Sequence, residues 1–259
     1  KGNGAAYCGL FSTLQNATIS NLTIENAAIS GTDYCGALAG SARNTTVRNV
    51  QVVNSTVTGS GYCGGLVGEA KATTATLCVF NGNLTCSGTH AAGIFATADK
   101  ASSVECSCTS GTINGTGDSI TAAGLVAELR GTVTDCFSSA NLTSTGYTAG
   151  VAATNFGSVA NCYASGNLTS DTLAGGLVAY NDGTDASLSH SVAANEQISI
   201  SSQTGNGMRV LAGSRNGARL PATGDNLALE RMIISVNGVA QQIYEDPMNG
   251  ATTSGDLLR

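Results

Sequence analysis

The sequence is poor in several residues from which most globular folds are built. It contains no tryptophan and only two prolines, and just 11% of its 259 residues are charged. Gly, Ala, Ser, Thr and Asn fill the space between short apolar runs, which is not a helical composition. Low charge alone could suggest disorder. However, Val, Ile and Leu recur at regular intervals and predict a buried hydrophobic core, which disordered chains lack.

The sequence also lacks strong charge of one sign and long apolar stretches. The formal net charge is -6, and the basic residues are scattered along the chain, as Arg43, Arg48, Lys71, Lys100 and Arg130 illustrate. Basic residues scattered in this way do not form the clustered basic patch that is typical of nucleic-acid binding. The longest apolar stretches hold four to six residues, well short of the roughly 20 that span a bilayer. We therefore expect no nucleic-acid partner, no membrane insertion and a soluble chain.

What the sequence does contain is a repeat centred on the stretch from Tyr62 to Gly68 (YCGGLVG). Equivalent positions occupied by Gly or Ala are separated by 28, 28, 28, 31, 26 and 26 residues: Gly9, Ala37, Gly65, Gly93, Gly124, Gly150 and Gly176. An apolar residue always follows. A repeat of this length is typical of a solenoid, in which each copy forms one coil.

Four further columns of small or apolar residues recur in all seven copies and predict the core. The first is Ile19, Val47, Ala75, Val104, Val133, Val159 and Leu188. The second is Leu22, Val50, Cys78, Cys106, Cys136, Cys162 and Ser191. The third is Ile24, Val52, Phe80, Cys108, Ser138, Ala164 and Ala193. The fourth is Ile29, Val57, Leu84, Ile113, Leu142, Leu168 and Ile198.

The chain must bend between the first two columns, because a step of three residues breaks the alternation of a strand. Asn21, Asn49, Asp135 and Asn161 stand at this bend, and Asn and Asp tolerate left-handed backbone angles. The pattern predicts an all-β fold, a right-handed β-helix-like solenoid of about seven coils, with a period of 26 to 31 residues and three short strands per coil. We expect the solenoid over residues 1–202, and a degraded last coil with a C-terminal cap over 203–259.

The nine cysteines fall in columns of the repeat. We call the segment around each repeated Gly or Ala position the entrance of its repeat. Cys8, Cys35 and Cys63 lie in the Tyr-Cys-Gly entrances of three successive repeats. A second column alternates Cys with Leu and Val, so Cys there serves as a small hydrophobe, and we expect it to be reduced and buried, with disulfides as the alternative. Cys106 and Cys108 have no partner pair at structural-zinc spacing, so no metal is expected.

The repeated entrance, with Gly65-Leu66-Val67-Gly68 as its fullest copy, resembles the GLUG motif. The segment Val159 to Gly166 (VANCYASG) is similar to the strand that follows that motif, and residues 7 to about 200 carry the resemblance. Ala37 departs from it by replacing the first Gly, and Ser12 by replacing the last. Such repeats are similar to those of bacterial surface proteins, including IgA-peptidase-associated regions and adhesin-like proteins. The resemblance implies a fold and an extracellular location, and no catalytic residues.

Few residues are candidates for catalysis or for processing by an enzyme. Glu105 and Asp135 are predicted to be neighbours in the bend column, where they would be structural rather than the carboxylate pair of a polysaccharide lyase or hydrolase. His90 stands where the earlier entrances have a tyrosine, and His190 stands in the bend column; neither has a partner that indicates a triad. The entrance tyrosines are Tyr7, Tyr34 and Tyr62. The stretch Leu220-Pro221-Ala222-Thr223-Gly224 matches a sortase signal, but the following residues Asn226 to Gly238 include Glu230 and Arg231 and are too short and polar to span a membrane. We therefore interpret the match as a coincidence within the cap.

We therefore predict a non-catalytic extracellular region of a longer bacterial surface protein. It would act as a stalk or adhesin that binds host or microbial glycans or proteins, with no cofactor and no catalytic or metal site. The alternative is a carbohydrate-active β-helix enzyme. A third possibility is an ice-binding face, which the threonines near the fourth column suggest: Thr23, Thr58, Thr85, Thr143 and Thr169.

Overall fold

The computed structural model describes residues 5–254, and that range contains strands and turns but no helix. The predicted all-β class is confirmed. Since no helix occurs in residues 5–254, no helix there is long and apolar enough to cross a membrane.

The first four coils are built from strands separated by bends. The first coil contains Tyr7–Cys8, Phe11–Gln15, Thr18–Glu25 and Ala28–Gly31. The second contains Tyr34–Cys35 and the long strand Ala39–Gly59. The third contains Tyr62–Gly64, Val67–Thr76 and Val79–Cys86. The fourth contains His90–Ala92, Phe95–Ala98, Ser103–Glu105 and Cys108–Gly115.

The later coils have shorter strands. The fifth contains Thr121–Ala123, Val126–Leu129, Thr132–Thr134, Phe137–Ser138 and Asn141–Ser144. The sixth contains Tyr147–Ala149, Ala152–Asn155, Ser158–Ala160, Tyr163–Ala164 and Leu168–Ser170. The seventh contains Leu173–Gly175, Val178–Asp182, Ser187–Ser189, Val192–Ala193 and Gln197–Ile200. The eighth contains Asn206–Met208, Leu211–Arg215, Leu227–Leu229 and Ile233–Val236, and is followed by Val239–Ala240 and Ala251–Thr253.

Strands at equivalent positions in neighbouring coils pair in parallel, so the chain is a β-solenoid. The entrance strands form one eight-stranded parallel sheet that runs from Tyr7–Cys8 to Asn206–Met208. The solenoid has about nine turns, and the predicted seven is slightly low. The eighth coil lies in the region where the sequence predicts a degraded last coil. Arg209 stands there in place of the usual Gly, and the Val210 carbonyl still accepts the backbone hydrogen bond of Leu177.

The prediction of three strands per coil describes the third coil, whereas the fifth, sixth and seventh coils each have five. The stretch from the first to the third column, as in Val159 to Ala164, is divided into two strands where a bend residue takes a positive φ. Asp135 has φ 55° and Asn161 has φ 54°. Across this bend the side chains of neighbouring coils are joined, since Asn49 Nδ2 donates to Asn21 Oδ1 at 2.8 Å and Asn161 Nδ2 donates to Asp135 Oδ1 at 3.1 Å. The predicted role of these residues as bends is confirmed.

The first and fourth predicted columns are in register through all seven coils. The second and third columns are wrong in the fourth coil only. There Thr109, not Cys108, pairs with Phe80 and Ser138, and Ser107 is buried while Cys106 is exposed. Cys106 stands at the bend, with φ 46°. The three-residue step from Val104 to Ser107 is therefore the same as in the other coils.

The last core layer is closed by residues after the eighth coil. Arg209 is only 3% exposed, and its guanidinium donates to Thr252 Oγ1 at 3.2 Å and to the Gly250 carbonyl at 3.3 Å. Strand Ala251–Thr253 pairs in parallel with Leu227–Leu229, and Val239–Ala240 pairs antiparallel with the end of Ile233–Val236. The proposed division of the chain at residue 202 stays a prediction.

Candidate functional site

An aromatic ladder lies on the outside of the entrance sheet. The rings of Tyr7 and Tyr34 stack at 5.1 Å between centroids, those of Tyr34 and Tyr62 at 4.9 Å, and those of Tyr62 and His90 at 5.0 Å. These residues are in register on neighbouring strands, and the spacing of parallel strands brings their rings into stacking distance. Because the inner rings cover each other's faces, the ladder presents ring edges and hydroxyl groups, not a flat platform.

A row of charged side chains lies beside the ladder, on or directly after the next strand of the second, third and fifth coils: Arg43, Glu69, Lys71, Glu128 and Arg130. Glu69 is held by three neighbours: Lys71 Nζ at 2.6 Å, Ser41 Oγ at 3.1 Å and Arg43 at 3.5 Å. Two coils further on, the Glu128 carboxylate accepts a hydrogen bond from Arg130 Nε at 2.9 Å and lies 3.6 Å from Nε2 of His90. The ladder and the charged row are therefore connected by direct contacts.

The space between ladder and charged row is a recess of about 230 Å³ lined by Tyr34, Tyr62, Glu69, Lys71 and Arg130, among others. We call it the ladder groove. Burial and then the Glu69 carboxylate raise the pKa of Tyr34. The hydrogen bond with His90 first, then Arg130, lowers the pKa of Glu128. At neutral pH the ladder groove thus offers phenol donors beside the ionised carboxylate of Glu128 and the Arg130 guanidinium, a surface suited to hydrogen bonding with a polar ligand.

A second recess of about 330 Å³ adjoins the first, since Arg130 lines both. The guanidinium carbon of Arg130 lies 4.3 Å from the centroid of the Phe156 ring. On one side, Asp182 is paired with Arg215 at 2.7 Å. Above, Lys100 Nζ lies 3.1 Å from Asp185. We call this recess the Arg130 notch.

The sequence predicts that Glu105 and Asp135 are neighbours, but the structure does not place them in register. Glu105 pairs with Thr76 and Thr134, because Cys106 occupies the bend position of its coil. His190 is exposed at the bend, with φ 49°. The contact of His90 with Glu128 was missed, since 38 residues separate them and only the stacking of the fourth coil on the fifth places them together.

The threonines do not form a continuous face. Thr58 pairs with Thr85 and Thr143 with Thr169, but Asn114 stands between these pairs, and Thr23 lies beside Gln51 on another strand. An ordered ice-binding face needs an unbroken row, so this possibility is not supported. The stretch from Leu220 to Gly224 lies between strands Leu211–Arg215 and Leu227–Leu229, with Leu220 48% exposed.

No group of three or more His, Cys, Asp or Glu side chains able to hold a metal ion occurs within residues 5–254. Among the cysteines, Cys78, Cys136 and Cys162 are buried, as predicted, while Cys106 is exposed. The exposure of Cys106 corrects its placement in the buried column.

No protein-family model matches the sequence, and neither does any curated protein. A solved structure described as a "putative immunoglobulin A1 protease from Bacteroides ovatus" has a similar fold, with a TM-score of 0.58 and 17% sequence identity. The similarity covers 91% of this chain and 68% of that one. At this identity the likeness shows the fold alone, a β-solenoid.

Proposed function

We propose that this chain is a non-catalytic, extracellular repeat region of a bacterial surface protein, of the GLUG-repeat kind, that binds a host or microbial glycan or protein. The ladder groove and the adjoining Arg130 notch form its binding surface. The polar lining favours a glycan, since hydroxyl, carboxylate, ammonium and guanidinium groups together match the donors and acceptors of a saccharide.

The observation that carries this proposal is the contact between the ladder and the charged row. His90 stacks on Tyr62 and also lies against Glu128, which in turn holds Arg130. The inward columns form the core of the solenoid, and this set of outward groups lies outside that core. A groove of aligned polar side chains along stacked coils is the kind of extended surface that solenoids use for binding.

A lyase or hydrolase on the same scaffold would need a carboxyl group kept protonated as an acid, or a base in reach of a reacting group. One carboxyl group of the groove and one of the notch show the opposite tendency. His90 and Arg130 lower the pKa of Glu128, and Arg215 lowers the pKa of Asp182. Protease activity, which the description of the similar structure names, is not proposed for this chain. Within residues 5–254 no Ser, Thr or Cys side chain is hydrogen bonded to either imidazole ring, which supports a binding role.

The direct test is binding to arrays of glycans and of surface proteins, with the native chain and with the double variant Tyr34→Phe/Tyr62→Phe. This change removes two hydroxyl groups from the ladder groove and keeps the stacked rings. The matched control is Tyr163→Phe/Tyr244→Phe, which removes two hydroxyls elsewhere. We expect the groove variant alone to lose affinity. Equal binding by the two variants to every ligand found would contradict the proposed surface.

Catalysis is tested separately by incubating the chain with pectin, alginate and glycosaminoglycans and measuring products. We expect none. Product formation that is lost in Glu105→Gln, Asp135→Asn or Glu128→Gln would overturn the non-catalytic role and favour the carbohydrate-active enzyme.

A further inference from the structure

The Arg130 notch owes its shape to the lengths of four successive turns. After the charged strand, residues 99–102 connect the strands of the fourth coil and residues 183–186 connect those of the seventh. In the fifth and sixth coils the same connection has only two residues, 130–131 and 156–157. Two longer loops therefore flank a gap that is two coils wide, or about 10 Å at the usual strand spacing.

The floor of the gap is a guanidinium backed by an aromatic ring. Arg130 rests on Phe156 and donates through Nε to Glu128. Within the described part of the chain, its two terminal nitrogens make no hydrogen bond, and its side chain is 52% exposed. These nitrogens are the pair with which an arginine grips a carboxylate in two parallel hydrogen bonds. The other carboxylate at the floor, Asp182, is already paired with Arg215 and accepts a hydrogen bond from Asn216.

An ion pair spans the gap from loop to loop. Lys100 and Asp185 lie 85 positions apart in the sequence and belong to coils four and seven, yet their charged atoms are 3.1 Å apart. Their side chains are 84% and 70% exposed. A pair so exposed to water adds little stability, so an incoming anion can replace Asp185 as the partner of Lys100. The ammonium and the Arg130 guanidinium then face the same space.

We propose that the Arg130 notch binds the carboxylate of an acidic saccharide unit. The inference rests on the proposed function and names its ligand class. Arg130 holds the carboxylate, Lys100 adds a second cation from the loop above, and the exposed part of Phe156 packs against the carbon skeleton of the sugar ring. A volume of about 330 Å³ lies at the small end of ligand pockets, which suits one unit of a chain whose neighbours continue into the ladder groove.

The test uses isothermal titration of the whole chain with three probes: trigalacturonate, a glucuronate oligosaccharide and a sialyl oligosaccharide. The methyl ester of trigalacturonate is the control ligand, since it keeps the sugar skeleton and removes the charge. We expect at least one acidic probe to bind and its binding to fall tenfold or more in Arg130→Gln. The control variant Arg48→Gln, which removes a positive charge from an outward position away from the notch, leaves the affinity unchanged.

Two more variants sharpen the outcome. Asp185→Asn removes the competing carboxylate from Lys100, so affinity for the acidic probe rises, whereas a merely structural ion pair would give no gain. Lys100→Gln weakens binding, and because Lys100 is so exposed this variant folds normally even if Arg130→Gln does not.

The inference is wrong if none of the three acidic probes binds, if the methyl ester binds as well as the acid, or if Arg130→Gln and Lys100→Gln both bind like the native chain. Binding of a neutral glycan or a protein that depends on Tyr34 and Tyr62 but not on Arg130 would leave the proposed function standing and refute this ligand class alone.

Discussion

Gly65 lies directly against the ring of Phe80 in the core of the third coil. A Cβ atom at position 65 would stand 2.5 Å from the Phe80 ring and 2.1 Å from the carbonyl oxygen of Gly93 in the next coil. Both distances are far below van der Waals contact. The glycine of the entrance is therefore required by the close approach of its coil to its neighbour and to the third core column.

Substituting Gly65 by Ala is expected to destabilise the fold by about 2 kcal/mol or more, the usual cost of overpacking a closed core. Part of the clash is with backbone, which cannot turn aside as a side chain could. The matched control is Gly224→Ala, because nothing lies within 4 Å of a Cβ there. Urea unfolding of both variants measures the difference, and equal midpoints would show that the entrance glycine is not needed for packing.

Val50 occupies the second core column and is fully buried. Val50→Asp would place an unpaired carboxylate in the core and cost several kcal/mol, an amount comparable with the whole stability of a typical domain. The adjacent Gln51 is exposed, so Gln51→Asp introduces the same charge without burying it. Thermal melting should separate the two variants widely. If Val50→Asp melted within a degree or two of the native chain, Val50 could not be a core residue.

The register of the solenoid could be predicted from the sequence because inward residues such as Val47 and Leu84 repeat at one position per coil. The slip in the fourth coil has a chemical cause. Cys106 and Cys108 look like small hydrophobes, whereas the buried residue is Ser107. Its hydroxyl is satisfied by the backbone, accepting from the Cys78 amide at 3.0 Å and donating to the Glu105 carbonyl at 2.8 Å. A fixed three-residue step from Val104 would have identified Ser107.

The site could be predicted far less well than the fold. The entrance tyrosines are visible in the sequence as a column, but the sequence does not predict that their rings stack into a ladder. Lys100 and Asp185 lie in loops that the repeat does not constrain, and their contact depends on two short turns between them. Pairings of this kind depend on loop lengths in several coils at once, which no single sequence pattern specifies.

The cysteines are expected to differ in reactivity with a thiol reagent. Cys106 is exposed and should be alkylated readily. Cys136 and Cys162 are buried, burial raises the pKa of both thiols, and that of Cys162 reaches about 11. At pH 8 only about one Cys162 thiol in a thousand would be the reactive thiolate.

Mass spectrometry after brief treatment of the folded chain with iodoacetamide measures this order. A denatured sample serves as the control, in which all nine cysteines should react. The same experiment without reductant tests the prediction that the buried column is reduced. Rapid labelling of Cys162 in the folded chain, or recovery of Cys136 joined to Cys162 as the main species, would contradict these expectations.

The contact of Glu128 with His90 and Arg130 should make stability depend on pH. These partners lower the pKa of the Glu128 carboxyl from its ordinary value of 4.5, so the folded state favours the ionised form. The contribution is fully present above pH 4.5 and is lost as the pH falls through the lowered pKa. Because the Glu128 side chain is 30% exposed, we expect roughly 0.5–1 kcal/mol at neutral pH.

The measurement is thermal melting of the native chain and of Glu128→Gln from pH 7 down to pH 3. The variant should melt about 1–4 °C lower at pH 7, and the gap should close below pH 4.5 as the native carboxylate becomes protonated. Glu25→Gln is the control, since Glu25 is exposed and has no ion pair in the described part of the chain, and it should follow the native chain throughout. A gap for Glu128→Gln that stays constant across this pH range would mean that the lost stability comes from packing and not from the charge of Glu128.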